Sequence, residues 1–367
     1  MKILINLIGG QAAPVYIATR IINPDKVLLV YSKESEVQLN RIKNTLNSFN
    51  YESLEVSPYD FENCYSTLKN ELEKYDSDDF VLNFTSGTKI MSIAAYKLFD
   101  ESKFNMIYID SQNHCLLTID KEKNVNSQTI NLKFSVKDYF SIYGYDIIIE
   151  QERFPVNKEY RKLNDLCLKN HYQFKSLIKS INSQLKNGNT LIEAKDNSSQ
   201  CYLRYNFKKR KGKLIIKQGR NTEEIEITSE EMLSYITGYW FEDYIFERLS
   251  KSEIFDDIQK NVKIYLTREN YQPEYLNEFD IVAVKDQTLY IYECKTGNLD
   301  KNIVEKLRLI KTISGTYSKI CLFTLFRPIE NSALERIKHF KINLVELKQI
   351  DKFISSLRFS ADINPSL

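Results

Sequence analysis

The strongest constraint on the fold is an alternation of two patterns over the first 110 residues. Short apolar runs alternate with longer amphipathic stretches. Lys2-Ile-Leu-Ile-Asn-Leu-Ile8, Val27-Leu-Leu-Val-Tyr31, Leu54-Glu-Val56, Phe80-Val-Leu-Asn-Phe84 and Asn105-Met-Ile-Tyr-Ile-Asp110 read as buried strands. Between them the periodicity predicts helices over residues 14–22, 34–49, 64–75 and 90–99. Pro14 suits a first helical turn. Strand and helix in turn imply an α/β fold whose parallel sheet is covered on both faces, with ligands outside the carboxyl ends of the strands.

The pattern then changes. Residues 151–190 read as mainly helical, with Leu163, Leu166, Phe174, Leu177, Ile178 and Ile181 on a recurrent apolar face. Residues 200–227 read as antiparallel strands, and helices followed by a hairpin suggest a winged-helix-like connector. Beyond them come a helix over 229–250, strands over 262–267, 278–284 and 288–293, a helix over 299–313, a strand over 319–325, and a helix–strand–helix end. The reading is an N-terminal Rossmann-like domain (1–150), a connector (151–228) and a C-terminal α/β domain (229–367). A length of 367 residues suits about two domains of roughly 150 residues. No internal repeat and no low-complexity segment is evident.

Charge sharpens the division. Lys and Arg number 51 against 49 Asp and Glu, a net of +2. By segment the counts are 15 against 20, then 17 against 8, then 19 against 21, so the connector alone is strongly basic. Its centre holds Lys208-Lys-Arg-Lys211, Lys213, Lys217 and Arg220, which fits either a solvated hairpin tip or a phosphate-contacting surface. The longest apolar run, residues 320–326, is far short of the roughly 18 residues needed to span a bilayer, so no membrane is expected. Six Cys without a CxxC read as reduced thiols, and Met1 leads into a strand without a signal-peptide cleavage region, so the expected location is the cytoplasm. Three scattered His argue against a His-rich metal site.

Two segments carry chemistry. In Asn83-Phe-Thr-Ser-Gly-Thr-Lys-Ile-Met91 a strand ends, hydroxyl residues turn the chain and a helix starts. Backbone N–H groups, the helix dipole, hydroxyls and Lys89 would suit an anionic, phosphate-bearing ligand, although a capped turn has the same look. The Walker A pattern is absent. Gly9-Gly-Gln-Ala-Ala-Pro14 should lie beside this loop in a parallel sheet. The second segment is more specific. Asp280 lies in a strand, Glu293 follows after twelve intervening residues, and Lys295 leaves the same strand face as Glu293. On a hairpin, Asp280 and Glu293 can converge on one divalent cation, Mg²⁺ or Mn²⁺, with Lys295 stabilising charge on phosphorus. Glu242, in the preceding helix, could add a carboxylate. Unpaired buried charge is costly, so charges clustered within apolar strands point to a function.

Glu242, Asp280 and Glu293-x-Lys295, in the order helix–strand–strand–helix, resemble the PD-(D/E)XK nuclease superfamily, with Phe279-Asp280 where that name has Pro-Asp. The N-terminal region with Thr85-Ser-Gly-Thr-Lys89 resembles a CARF domain, the CRISPR-associated Rossmann fold. Together they resemble the CARF–nuclease effectors of type III CRISPR antiviral systems over essentially the whole chain. The resemblance implies a homodimer that binds a cyclic oligoadenylate, most often the tetra-adenylate, and then cleaves DNA and/or RNA with little sequence preference, using metal. It implies ligand contacts from Gly10, Gln11, Ser32, Thr85, Ser86, Gly87, Thr88 and Lys89. It implies metal ligands at Glu242, Asp280 and Glu293, with Glu278 as a further one, and a catalytic Lys295.

Three other readings fit less well. The α-helical ribonuclease that also accompanies CARF domains needs a His four to six residues after an Arg, and none of His114, His171 and His339 has one. A non-catalytic, ligand-responsive DNA-binding regulator using Lys208–Lys211 and Arg220 would leave the carboxylate–lysine set unexplained. A serine hydrolase would need a GxSxG that is absent.

Overall fold

Strand β1 (Lys2–Leu7) is buried at every residue but the first, and it is the middle one of the five parallel strands of the first sheet. Its side chains alternate between two apolar layers: Leu4 joins one core, and Ile3, Ile5 and Leu7 join another. The structure, a computed structural model, describes residues 1–77, 79–150, 154, 158–266, 272–297, 306–307, 318–326 and 331–359.

The first sheet has the order β3-β2-β1-β4-β5-β6-β7. Strands β2 (Lys26–Tyr31), β3 (Tyr51–Glu55), β4 (Asp79–Asn83) and β5 (Asn105–Asp110) join β1 in parallel. Helices α1 (Ala13–Ile22) and α2 (Glu36–Thr45) contribute Val15, Ile17, Leu39 and Ile42 to one layer. Helices α3 (Phe61–Leu72) and α4 (Lys89–Glu101) contribute Leu68, Met91 and Leu98 to the other. The Asp60 and Thr88 side chains cap α3 and α4 by accepting from the N–H groups of Asn63 and Met91. The Rossmann-like expectation is met. An antiparallel extension, β6 (Cys115–Ile119) and β7 (Val125–Thr129), adds to its edge.

The connector contains α6 (Lys158–Lys169) and α7 (His171–Lys186), then an antiparallel sheet of four strands in the order β12-β11-β10-β9. These are β9 (Leu191–Lys195), β10 (Cys201–Asn206), β11 (Lys211–Gln218) and β12 (Asn221–Ile227). It is a larger sheet than the wing expected, because β9 pairs along β10 through Ile192 and Ala194, which face the core. Lys208, Lys209 and Arg210 lie exposed at the β10–β11 turn. On the sheet, Lys213 pairs with Glu224 at 3.3 Å, Lys211 with Glu226 at 3.9 Å and Arg204 with Glu193 at 3.0 Å. Exposed pairs of this kind add little stability, but they offset part of the local positive charge.

The third sheet has the order β17-β16-β15-β14-β13-β8. Its strands are β8 (Tyr145–Ile149), β13 (Asp257–Leu266), β14 (Glu274–Lys285), β15 (Thr288–Lys295), β16 (Lys319–Thr324) and β17 (Asn343–Glu346). Strand β8 lies within the first 150 residues, yet it pairs with β13, Ile149 opposite Val262. Helix α8 (Glu230–Ser234) runs through a π-helical turn (Tyr235–Tyr239) into α9 (Trp240–Ser250), and α10 (Asn331–His339) and α11 (Ile350–Phe359) flank β17. The helix expected over 299–313 falls mostly outside the described residues, where only Lys306 and Leu307 are seen, both helical.

The first and third sheets share one core. Leu4, Val15 and Ile17 are continuous in it with Val282, Val284, Leu289 and Ile291, through Tyr139 and Phe140 of α5 (Val136–Ile142). Phe140 stacks on Phe279 with ring centroids 6.0 Å apart and planes 12° from parallel. The β14–β15 turn, Asp286 and Gln287, has φ of 48° and 58°, the two left-handed residues of a tight hairpin turn. There Gln287 Nε2 donates to the Leu132 carbonyl at 2.7 Å.

Candidate functional sites

The sheet order changes direction at β1, so the loops after β1 and β4 lie side by side at the strands' carboxyl ends. They touch backbone to backbone. A Cβ on Gly9 would lie 2.5 Å from the Gly87 nitrogen, and Gly87 has φ of 87°. Glycine is required at the first by contact and favoured at the second by conformation.

The loop's hydroxyls face inward. Thr85 Oγ1 donates to Asn83 Oδ1 at 2.6 Å and accepts from the Ile109 N–H at 2.7 Å. Ser86 Oγ donates to the Gln11 carbonyl at 3.1 Å, and Thr88 Oγ1 donates to the Pro58 carbonyl at 2.5 Å. Below them Asn83 Nδ2 donates to Asn6 Oδ1 and to the Pro14 carbonyl, at 2.8 and 3.2 Å, in a fully buried amide network. These residues therefore shape the loop. Lys89, exposed at the first position of α4, and the N–H groups of the α4 first turn are what the loop presents to an anion. Gly10 is exposed with nothing near its Cβ position, and Gln11 lines the adjoining cleft. Ser32 is buried after β2, where its N–H and carbonyl both bond the Ser35 hydroxyl.

At the second site, β14 and β15 pair from Ile281 opposite Tyr292 to Lys285 opposite Thr288. Just past the Ile281–Tyr292 pair the Cys294 N–H donates to Asp280 Oδ2 at 2.7 Å. This holds the Asp280 carboxylate against β15, where Glu293 is buried with 1% of its side chain exposed. Lys295 Nζ lies 2.7 Å from Glu293 Oε1 and 3.8 Å from Asp280 Oδ2. Burial and the Glu293 charge push the Asp280 carboxyl up to about 6. Burial and the Asp280 charge push Glu242, in the first turn of α9, well above the carboxylate range. Burial works against the Lys295 ammonium, but Asp280 and Glu293 outweigh it and hold the charge more firmly than usual.

The π-helical turn before Glu242 is fastened to the end of β15 by Thr296 Oγ1, which donates to the Thr237 carbonyl at 3.3 Å. Such turns re-aim the side chains that follow them. Glu278 stands opposite Lys263 on β13, two residues before Asp280 in an unbroken register, and its carbonyl accepts from Lys306 Nζ at 3.2 Å.

Lys306 is the residue that sequence reasoning missed. Its Nζ reaches both Glu293 oxygens, at 3.0 and 3.2 Å. Its signal in the sequence is slight, a lysine beside the buried Leu307 in the helix after the Glu-x-Lys strand. Among the described residues no three of His, Cys, Asp and Glu converge closely enough to cage a metal ion. Two carboxylates at this spacing still fit Mg²⁺, which keeps several of its waters and takes one or two protein carboxylates. A divalent ion there would offset the burial and mutual repulsion that push Glu242 and Asp280 toward their protonated forms.

The architecture is that of a CARF domain joined to an endonuclease domain. The family model for the Card1 CARF domain matches residues 3–139, and that for the Card1-like endonuclease domain matches residues 229–355, so the chain carries one domain of each kind. No curated protein matches the chain. Among solved structures it is similar to Can2 from Sulfobacillus thermosulfidooxidans in complex with cyclic tetra-adenylate. The identity is 20%, the TM-score 0.77, and 99% of this chain and 100% of that one are covered. VC1899 from Vibrio cholerae is 16% identical with a TM-score of 0.77, covering 98% and 97%. A type III CRISPR defence DNA nuclease activated by cyclic oligoadenylate is 14% identical with a TM-score of 0.56, covering 96% of this chain and 51% of that one. No helix among the described residues is long and apolar enough to cross a membrane.

Proposed function

We propose that this protein is a metal-dependent nuclease of CRISPR defence, switched on by a cyclic oligoadenylate and cleaving phosphodiester bonds of DNA and/or RNA. The observation that carries the reading is the buried Glu293, gripped by Lys295 beside Asp280 at the strand ends of an endonuclease domain. Asp280 and Glu293 would hold Mg²⁺ or Mn²⁺, with Glu242 adding negative charge. Bound there, the ion would supply an activated water and neutralise charge at phosphorus. Lys295 stays protonated and presents its ammonium to the phosphate oxygens. Lys306 locks the Glu293 carboxylate in place. In Mn²⁺ the protein with its activator is expected to cut a nucleic acid, and in EDTA it is expected not to. Cutting in EDTA would contradict the metal's role.

The Asp280 shift has a consequence for the metal-free protein. Its folded value of about 6 lies above the roughly 3.9 of an unfolded chain, so between those values the native state binds more protons. Stability from this group therefore rises as pH falls from about 6 to about 4 and is lost as pH climbs back. Thermal melts in EDTA should show that slope in the wild type, reduced in Asp280→Asn. An identical slope in the variant would contradict the assignment.

At the sensor, the cyclic oligoadenylate, tetra-adenylate by analogy with the Can2 complex, would place phosphates at the α4 N-terminus. Lys89→Ala should weaken its binding about tenfold, within the range of a charge-assisted contact. Unchanged affinity in a titration would remove Lys89 from the ligand contacts. A homodimer is supported by apolar side chains exposed on α4 and β5: Ile93, Tyr96 and Tyr108, the two tyrosines packed on Phe84 at 5.9 and 5.7 Å. A second copy would cover them.

A further inference from the structure

Beside the nuclease site stands an aromatic ledge that the chemistry above does not use. Strands β15 and β16 run parallel with Lys295 opposite Thr324, and the Leu325 N–H donates to the Lys295 carbonyl at 3.3 Å. Phe326 follows two residues beyond Thr324, past the end of β16, at the same strand ends as Lys295. Its ring meets two others from the start of α7: Tyr172 at 5.6 Å between centroids and His171 at 5.9 Å. Lys175 Nζ sits 4.5 Å over the Phe326 ring. Tyr172 is 72% exposed although it belongs to this cluster. From it an open cleft of about 410 Å³ runs along α7, lined by Lys175, Lys179, Asn197, Ser198 and Asp196, whose buried carboxylate accepts from the N–H groups of Ser198 and Cys201.

An exposed aromatic face beside ammonium groups is the surface that a nucleic acid strand uses. A base stacks on the ring while its phosphates meet the lysines. The connector thus places this surface next to the endonuclease strands, separate from the Lys208–Lys211 tip. We propose that Tyr172, backed by Phe326, stacks a nucleobase of the substrate strand, with Lys175 and Lys179 on the adjoining phosphates. The inference rests on the nuclease reading and adds a substrate-positioning subsite to it.

The test is binding of a single-stranded oligodeoxynucleotide carrying 2-aminopurine, in EDTA so that nothing is cut. Stacking quenches the fluorescence. Wild type should bind and quench. Tyr172→Ala should bind about tenfold more weakly with the quench largely lost, and Tyr172→Phe should keep both. Lys175→Gln should lower the slope of log affinity against log salt by about one unit. The same affinity and quench in Tyr172→Ala, or no binding by wild type, would overturn the subsite. Tyr172 is exposed, so its removal leaves the core intact, and a thermal melt of each variant checks this. Failure of the nuclease reading would show separately, as a wild type that binds and quenches but does not cut in Mn²⁺ with activator.

Discussion

Glu293→Gln is expected to cut nuclease activity by at least about 10³-fold while leaving cyclic tetra-adenylate affinity unchanged. Glu293 is the buried anchor of the site: Lys295 and Lys306 both bond its carboxylate, and Asp280 lies across the hairpin from it. An amide of the same shape keeps the packing, but it removes a charge and replaces one acceptor with a donor facing ammonium groups. The two lysines then repel each other with their shared counter-charge gone. The loops proposed to bind the activator belong to another sheet, so activator affinity serves as the control. Cleavage within tenfold of wild type would contradict the assignment.

Phe140→Ala should have the largest effect on stability. Phe140 is 1% exposed, stacks on Phe279, and lies in the core that joins the two domains. Truncation should cost about 3–5 kcal/mol, a fall in Tm of roughly 10 °C for domains of this size. Phe279 immediately precedes Asp280, so α5 bears directly on the hairpin that carries the proposed nuclease site. Phe140→Leu, which retains most of the volume, should fold and bind activator yet cleave with a reduced response to it. A Phe140→Ala melt indistinguishable from wild type would refute the packing role. A full activator response in Phe140→Leu would refute the coupling.

Much of this was legible in the sequence where burial imposes a pattern. The parallel strands β1, β2 and β4 read clearly because they are apolar on both faces, as Val27 to Val30 and Phe80 to Leu82 are, whereas the edge strand β3, Tyr-Glu-Ser-Leu-Glu, has no buried residue and a weaker signal. The reading stopped short over residues 111–150 for physical reasons. Strand β7, Val-Asn-Ser-Gln-Thr, is exposed throughout and carries no apolar signal. Strand β8 finds its partner β13 more than 100 residues later, a pairing no local pattern encodes.

The proposed catalytic set showed itself as charge within apolar strands, and the structure brings Asp280, Glu293 and Lys295 together as the spacing suggested. The sequence names the loop residues Thr85, Ser86 and Thr88 but not the direction of their hydroxyls, which depends on Asn83, Gln11 and Pro58. Nor does it show that Lys211 and Lys213 face Glu226 and Glu224 across the sheet, where cross-strand pairing offsets a charge that composition alone would count as available.

The most direct measurement is an incubation of the purified protein with plasmid, single-stranded DNA and RNA in Mn²⁺, with and without cyclic tetra-adenylate. A sensor coupled to a nuclease should leave the nucleic acids largely intact without the activator and degrade at least one of them when it is added. Equal cleavage in both arms, or none in either, would contradict the coupling of the two sites.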